Sequence, residues 1–189
     1  AVRARAKDWL WTAFDTWAKV GWDQARGGFV EQLDMDGRPD PDATRRVRVQ
    51  ARQVFCFAKA IEMRWSGADR AKTIVEIGLD YLNTRLRHPD GGFVHLINPD
   101  GRVIDPRRDL YDHAFMILAG SAAYKAIGSP LGLEIADDAI AYIDTHLKDD
   151  LHGGWFESSE RELPRRANPH MHLLEAMMEY YGATRSDAA

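Results

Sequence analysis

The sequence predicts an all-α fold of three helical hairpins, and two observations predict it. The first is an internal repeat of about sixty residues. Gly27-Gly28-Phe29-Val30, Gly91-Gly92-Phe93-Val94 and Gly153-Gly154-Trp155-Phe156 open alike at intervals of 64 and 62 residues. The arginine pairs Arg45-Arg46, Arg107-Arg108 and Arg165-Arg166 follow at intervals of 62 and 58. Two markers with nearly one period define units of about 1–65, 66–128 and 129–189. The second observation is helical periodicity between the markers, two runs in each unit.

In the first unit Trp9, Leu10, Ala13, Phe14 and Trp17 follow the spacing of one buried helix face, as do Val47, Ala51, Val54, Phe55, Ala58 and Ile61. The second unit carries Ile74, Ile77, Gly78, Tyr81 and Leu82, then Tyr111, Ala114, Phe115, Leu118 and Ala122. The third carries Ile135, Ala139, Ile143 and Leu147, then Leu174, Met177, Met178 and Tyr181. Cys56, inside an apolar run, reads as core. Within the hairpins, Phe29–Arg38 and Phe93–Arg102 read as extended arms folded at Asp36-Gly37 and Asp100-Gly101. Such connections are longer than a plain bundle needs, and long ordered loops are more often functional than idle.

Composition narrows the class. With 189 residues, 45% hydrophobic and 29% charged, the chain suits one compact domain with a real core. A net charge of −4 argues against a general nucleic-acid binder or a membrane-surface protein. The single cysteine excludes a disulfide framework or a zinc-finger spacing and fits a reducing cytoplasm. The longest apolar run, Ala114 to Gly120, falls far short of the about 20 residues a membrane span needs. Residues 1–20 lack the apolar block of a signal peptide. The expectation is a cytoplasmic domain without nucleic-acid or membrane partners. No phosphate-binding loop, dinucleotide fingerprint or nucleophile elbow occurs.

Polar residues gather near the start of the second helix of each hairpin: Arg52, then Tyr111 and His113, then Asn168 and His172. Counted from the second arginine of each pair, Arg52 and His172 lie six residues on and His113 five. Helices of one orientation would bring these groups and three positive helix ends to one mouth, suited to a polyhydroxylated or anionic ligand and to a developing oxyanion. Each of these residues also has a plain structural reading, as a cap or an ion pair. Asp109 and Asp112 read as groups that cap or orient the helix carrying His113. His170 and His172, two residues apart on a helix, point to different sides, so no metal site is expected. Trp22, Phe93 and Trp155 suit either sugar stacking or loop packing.

The segments Val49-Gln50-Ala51-Arg52-Gln53, Asp109-Leu110-Tyr111-Asp112-His113-Ala114-Phe115 and Asn168-Pro169-His170-Met171-His172-Leu173-Leu174-Glu175-Ala176 resemble the N-acylglucosamine 2-epimerase family. That family includes mannose-type aldose–ketose isomerases and cellobiose 2-epimerases. The resemblance implies an α/α toroid, an (α/α)6 barrel whose inner helices line a sugar pocket, of which three hairpins supply the N-terminal half. It implies that Arg52 contacts substrate oxygens, that Tyr111 and His113 stand in the pocket wall, and that Asn168 and His172 contact the sugar near its reacting carbons. The implied reaction is proton abstraction beside the open-chain carbonyl through an enediolate, with no metal or nicotinamide cofactor. The family's acid and base histidines belong to its second half, so His172 is the best catalytic candidate here. The missing half would come from a second half-barrel or a second copy. A non-catalytic carbohydrate-binding or assembly module is the competing reading. A helical-toroid glycoside hydrolase or lyase would need a carboxylate pair, for which Asp112 and Glu175 are the candidates.

Overall fold

A computed structural model of the chain describes residues 2–185. Six helices alternate between two layers. Helices α2 (Val47–Glu62), α4 (Leu110–Ile127) and α6 (Ala167–Thr184) form an inner layer with α4 in the middle. Helices α1 (Val2–Val20), α3 (Ala68–Arg85) and α5 (Pro130–Tyr142) lie outside, α3 on α2 and α5 on α4, and a π-helical turn at Ile143–Leu147 extends α5. This is half of an α/α barrel. Among the described residues no helix is long and apolar enough to cross a membrane.

The elements form for local reasons. Ser129 caps α5 by accepting from Gly132 N, with Pro130 at the first helical position. Asp109 caps α4 by accepting from Tyr111 N, and Gly128 closes that helix in the left-handed conformation. Helix α4 is apolar on all sides because α2, α3, α5 and α6 surround it. A methyl on Gly120 would meet Gly132 O at 2.2 Å, so α4 and α5 approach as closely as their backbones allow. Phe14, Phe57 and Trp65 pack as an aromatic trio that fastens α1 to α2.

Periodicity located all six helices but not every buried side chain. Trp9 is 73% exposed, on the outer side of α1. Leu174, Met178 and Tyr181, expected in a buried face, are exposed; α6 buries Pro169, Leu173, Ala176 and Tyr180 instead. The reason is position: α6 stands at the edge of the inner layer and has α4 on one side only. Cys56 is exposed rather than core.

The three connections share one hydrogen-bond plan. Asp23 N donates to Gly28 O, His88 N to Gly92 O, and Asp149 N to Gly154 O, each at 2.9 Å. The arms extend slightly past the expected bounds. Strands β1 (Arg45–Arg46), β2 (Leu96–Ile97) and β3 (Val103–Asp105) form an antiparallel sheet in that order, joining the first connection to the second. Val47 N, opening α2, donates to His95 O of the next arm, and Leu110 N, opening α4, donates to Glu157 O of the one after. The first two inner helices therefore start on the following unit's arm. Ala167, the matching position in α6, has no such partner among the described residues.

The glycine pairs all hold positive φ, and at Gly28 and Gly92 space requires glycine as well. Gly92 sits at φ +74°, and a methyl there would meet His113 Nε2 at 2.7 Å and the Tyr142 ring at 2.9 Å. Gly37, at φ +77°, has nothing within 4 Å. Gly92→Ala is expected to lower stability by about 3 kcal/mol or more and Gly37→Ala by about 1–2 kcal/mol. Urea unfolding of the two variants measures the difference, and equal losses would remove the steric part of the argument.

Candidate functional site at the mouth of the inner helices

The inner helices begin at Arg46, Asp109 and Arg166, their N-cap residues. Counting from these caps aligns the three units. Arg48, Tyr111 and Asn168 are second; Gln50, His113 and His170 are fourth; Arg52, Phe115 and His172 are sixth. This register corrects the match of His113 with Arg52 and His172. In the second unit the arginine pair lies one residue earlier relative to its helix, because Asp109 takes the cap position that Arg46 and Arg166 hold elsewhere. Arg108 is then the counterpart of Arg45 and Arg165, and all three donate to carbonyl oxygens of their own glycine loops.

The fourth positions hold the loops. Gln50 accepts from Phe29 N at 2.7 Å and donates back to Phe29 O at 2.8 Å. His113 Nε2 accepts from Phe93 N at 3.1 Å while Nδ1 donates to Asp109 O at 2.8 Å. His170 repeats the pattern with Trp155 N and Arg166 O. His113 is wholly buried and stacks on Tyr142 at 4.7 Å, so it stands behind the expected pocket wall rather than in it. Burial pushes its pKa down to about 4. Phe93 is buried beneath its loop and Trp22 packs edge-on to Phe29, so loop packing accounts for both.

The sixth positions converge on the inner surface. Arg52 donates to Tyr111 Oη at 2.7 Å, and its guanidinium lies 4.1 Å over the Phe115 ring. His172 packs against Tyr111 and Phe115, both at 5.0 Å, and its Nδ1 meets Glu175 Oε2 at 2.9 Å. Arg52 has no carboxylate partner among the described residues, and His172 Nε2 has no hydrogen-bond partner among them. The geometry is a cation and an imidazole over an aromatic floor, suited to the hydroxyls and apolar face of a sugar ring.

One turn nearer the mouth, the second positions line a cleft of about 310 Å³. Arg48, Tyr111 and Asn168 face it together with His95, Arg107 and Arg166, and with the carboxylates of Asp109 and Glu157. Three helix N-termini end around this opening and bias it toward negative or oxygen-rich ligands. Asn168 is exposed here, one turn from His172. Asp112 is fully buried; it accepts from Arg48 at 3.2 Å and pairs with His95 Nδ1 at 2.5 Å. That bond holds the His95 imidazole above its usual pKa, against the effect of burial. Burial, aided by the neighbouring Asp112, raises Asp109 above the usual carboxylate range.

His95, Asp109 and Asp112 bring one ligand-type atom each within 4.8 Å of one another. In the structure Asp112 is paired through Oδ2 with His95 Nδ1 and through Oδ1 with the Arg48 guanidinium, whose positive charge would oppose a cation there. Sequence reasoning overlooked Arg48 and His95. A signal existed in the aligned register: Asp112 stands where the other units carry Val49 and Pro169. Asp112 and Glu175 do not form a carboxylate pair across a pocket, since one is enclosed by Arg48 and His95 and the other is exposed beside His172.

Residues 27–188 match the family described as N-acylglucosamine 2-epimerase (GlcNAc 2-epimerase). The chain belongs to that family. Within it, the chain is similar to a protein named mannose-6-phosphate isomerase from Rhizobium meliloti (strain 1021), 39% identical over 169 residues, covering 88% of this chain and 42% of that one. It is also similar to a D-mannose isomerase from Thermobifida fusca, 31% identical over 168 residues, covering 86% of this chain and 40% of the other. The chain thus spans under half the length of these N-acylglucosamine 2-epimerase relatives. Among solved structures, cellobiose 2-epimerase from Spirochaeta thermophila DSM 6192 shares the fold, with a TM-score of 0.83 at 22% identity, covering 98% of this chain and 51% of that one. A D-mannose isomerase structure superposes with a TM-score of 0.80 at 26% identity, over 95% of this chain and 47% of the other.

Proposed function

We propose that the chain supplies the N-terminal wall of the pocket of an aldose–ketose isomerase or 2-epimerase acting on mannose-type sugars. The observation that carries this reading is the Arg52–Tyr111–His172 cluster over Phe115, open to the inner surface. The names of the relatives support the reaction class: mannose-6-phosphate isomerase and D-mannose isomerase are isomerases of mannose-type sugars, and cellobiose 2-epimerase is an epimerase at C2. In the proposed chemistry a base removes the proton beside the open-chain carbonyl and an enediolate forms. Reprotonation at C1 yields the ketose, and reprotonation at C2 from the other face yields the epimer. Arg52 neutralises the oxygen on which charge develops, and His172 hydrogen-bonds a neighbouring sugar oxygen. Tyr111 and Asn168 position the ring; His113 acts from behind by holding the Gly91-Gly92 loop.

Further units of the same design complete the ring in this reading. The exposed Leu174, Met178 and Tyr181 of α6 support it. So does a groove of about 410 Å³ lined by Ile140, Ile143, Leu173 and Met177, which has the place of a next outer helix. These units would carry the principal base.

The test is calorimetric titration with mannose, together with proton NMR in D2O on mannose, glucose, fructose and cellobiose. Binding of mannose is expected, weakened about tenfold or more in Arg52→Ala and in His172→Ala. Loss of the C2–H signal is expected once the ring is complete. Mannose binding that both variants leave unchanged would sink the assignment of the pocket. Binding without exchange from a closed ring would favour the carbohydrate-binding module.

A further inference from the structure

The middle unit departs from its neighbours at three positions, all of them around the mouth cleft. In the first unit Glu31 accepts from the backbone N and Nε of Arg46, and in the third Glu157 accepts from the same atoms of Arg166. A glutamate on the arm thereby receives the arginine at the helix cap. In the second unit the arm residue is His95 and the cap residue is Asp109, which caps its helix with its own side chain. The third departure is Asp112, in place of Val49 and Pro169. Helix capping therefore needs neither His95 nor Asp112. A wholly buried carboxylate is also costly to place where its counterparts are apolar.

What the two residues make together is a dyad whose imidazole lines the cleft while its carboxylate lies buried behind. Asp112 fixes Nδ1 of His95 at 2.5 Å, and Arg48 anchors the other carboxylate oxygen at 3.2 Å. The imidazole is thus held in one orientation, with Nδ1 committed. Nε2 has no hydrogen-bond partner among the described residues, and His95 lines the cleft shared with Tyr111 and Asn168. Tyr111 joins the two places: Arg48, the anchor of Asp112, lies 5.3 Å from its ring, and its hydroxyl accepts from Arg52 at 2.7 Å. A sugar spanning the cluster and the cleft would meet His95.

We propose that His95, oriented by Asp112, is the acid that opens the sugar ring before isomerisation. The inference rests on the reading of the pocket as a sugar site and adds a step which that reading leaves unassigned. A pyranose has no free carbonyl, so a proton beside C1 cannot be removed until the ring is open. The protonated imidazole donates from Nε2 to the ring oxygen as the bond between that oxygen and C1 breaks. The anomeric hydroxyl gives its proton to water, leaving the C1 aldehyde and a free hydroxyl where the ring oxygen was. His95 then takes a proton back from solvent, so protons balance and nothing is oxidised or reduced.

The experiment is interconversion of freshly dissolved α-mannopyranose, followed by polarimetry with the full chain, alongside calorimetric mannose binding. The wild-type chain is expected to accelerate the approach to anomeric equilibrium. His95→Ala should lose that acceleration by about a hundredfold, with mannose affinity within about twofold of wild type, and added imidazole should restore part of the rate. Asp112→Asn, which keeps shape and a hydrogen bond, should lower the rate without abolishing binding, and it serves if His95→Ala fails to fold. Mannose binding without accelerated mutarotation overturns the ring-opening role and leaves the sugar site standing. Undiminished mutarotation in a folded His95→Ala or Asp112→Asn variant overturns it as well. No mannose binding at all overturns the pocket reading and this inference together.

Discussion

Replacing Arg45 by methionine is expected to lower the stability of the fold by about 3–5 kcal/mol. Arg45 is fully buried, donates from Nη2 to Asp23 Oδ2 at 2.6 Å, and bonds the carbonyl of Gly27 from Nη1. Asp23 is itself buried and already receives Ala25 N, Arg26 N and Arg26 Nε. Burial alone would raise its pKa, but these hydrogen bonds outweigh it and hold the carboxyl below the usual range. Methionine would fill the volume while removing the buried guanidinium, leaving the Gly27 carbonyl without its donor and the Asp23 carboxylate to Arg26 alone. The control is the adjacent residue. Arg46 also pairs with a glutamate, Glu31, whose side chain is largely buried, but its own side chain is half exposed, so water can take its place and the backbone N of residue 46 still donates to Glu31; Arg46→Met should cost about 1 kcal/mol. Urea unfolding at neutral pH compares them, and similar losses for the two arginines would refute the burial argument.

The second large effect is a loss of stability in acid centred on His113. Its Nδ1 donates to Asp109 O and its Nε2 accepts from Phe93 N, so the two bonds require the neutral ring with its proton on Nδ1. A second proton would set one N–H against another. Burial is the main cause of the shift to about 4; the Asp109 carbonyl and Asp112 oppose it, while Arg108 and His146 add to it. The folded value lies below the unfolded one of about 6.5. The stabilisation from this group is therefore complete above pH 6.5 and disappears as pH falls toward 4, on the order of 3 kcal/mol in all. His113→Gln is the informative variant, because Gln50 performs the same loop attachment in the first unit and does not titrate. The unfolding free energy of wild type minus that of the variant should fall as pH goes from 7 to 4. A flat difference would exclude His113 as the source.

The hairpins were legible because a helix with one buried side writes its period into the sequence. Val47, Ala51, Val54 and Ala58 are all buried along α2. The same period over Leu174, Met178 and Tyr181 marks an apolar stripe but cannot say whether anything packs on it. The candidate site was legible in part. Arg52, Tyr111 and His172 meet, and Asn168 stands one turn away. His113 was misread because a shift of one residue rotates a helical side chain by about 100°, and the shifted arginine pair concealed that offset. His95 and Asp112 were beyond linear reading, since their chemistry arises from contacts among the second arm, α4 and Arg48 of α2.

The enclosure of α4 also has a meaning in time. A helix surrounded by four others cannot exchange its amide hydrogens by fraying alone, because exposing its middle turns requires its neighbours to move away first. Among the described residues, Ala114–Ala123 is accordingly expected to exchange most slowly, with global unfolding, and hydrogen exchange read by mass spectrometry checks it. The proposed sugar pocket is thus mounted on the most enclosed helix of the described residues.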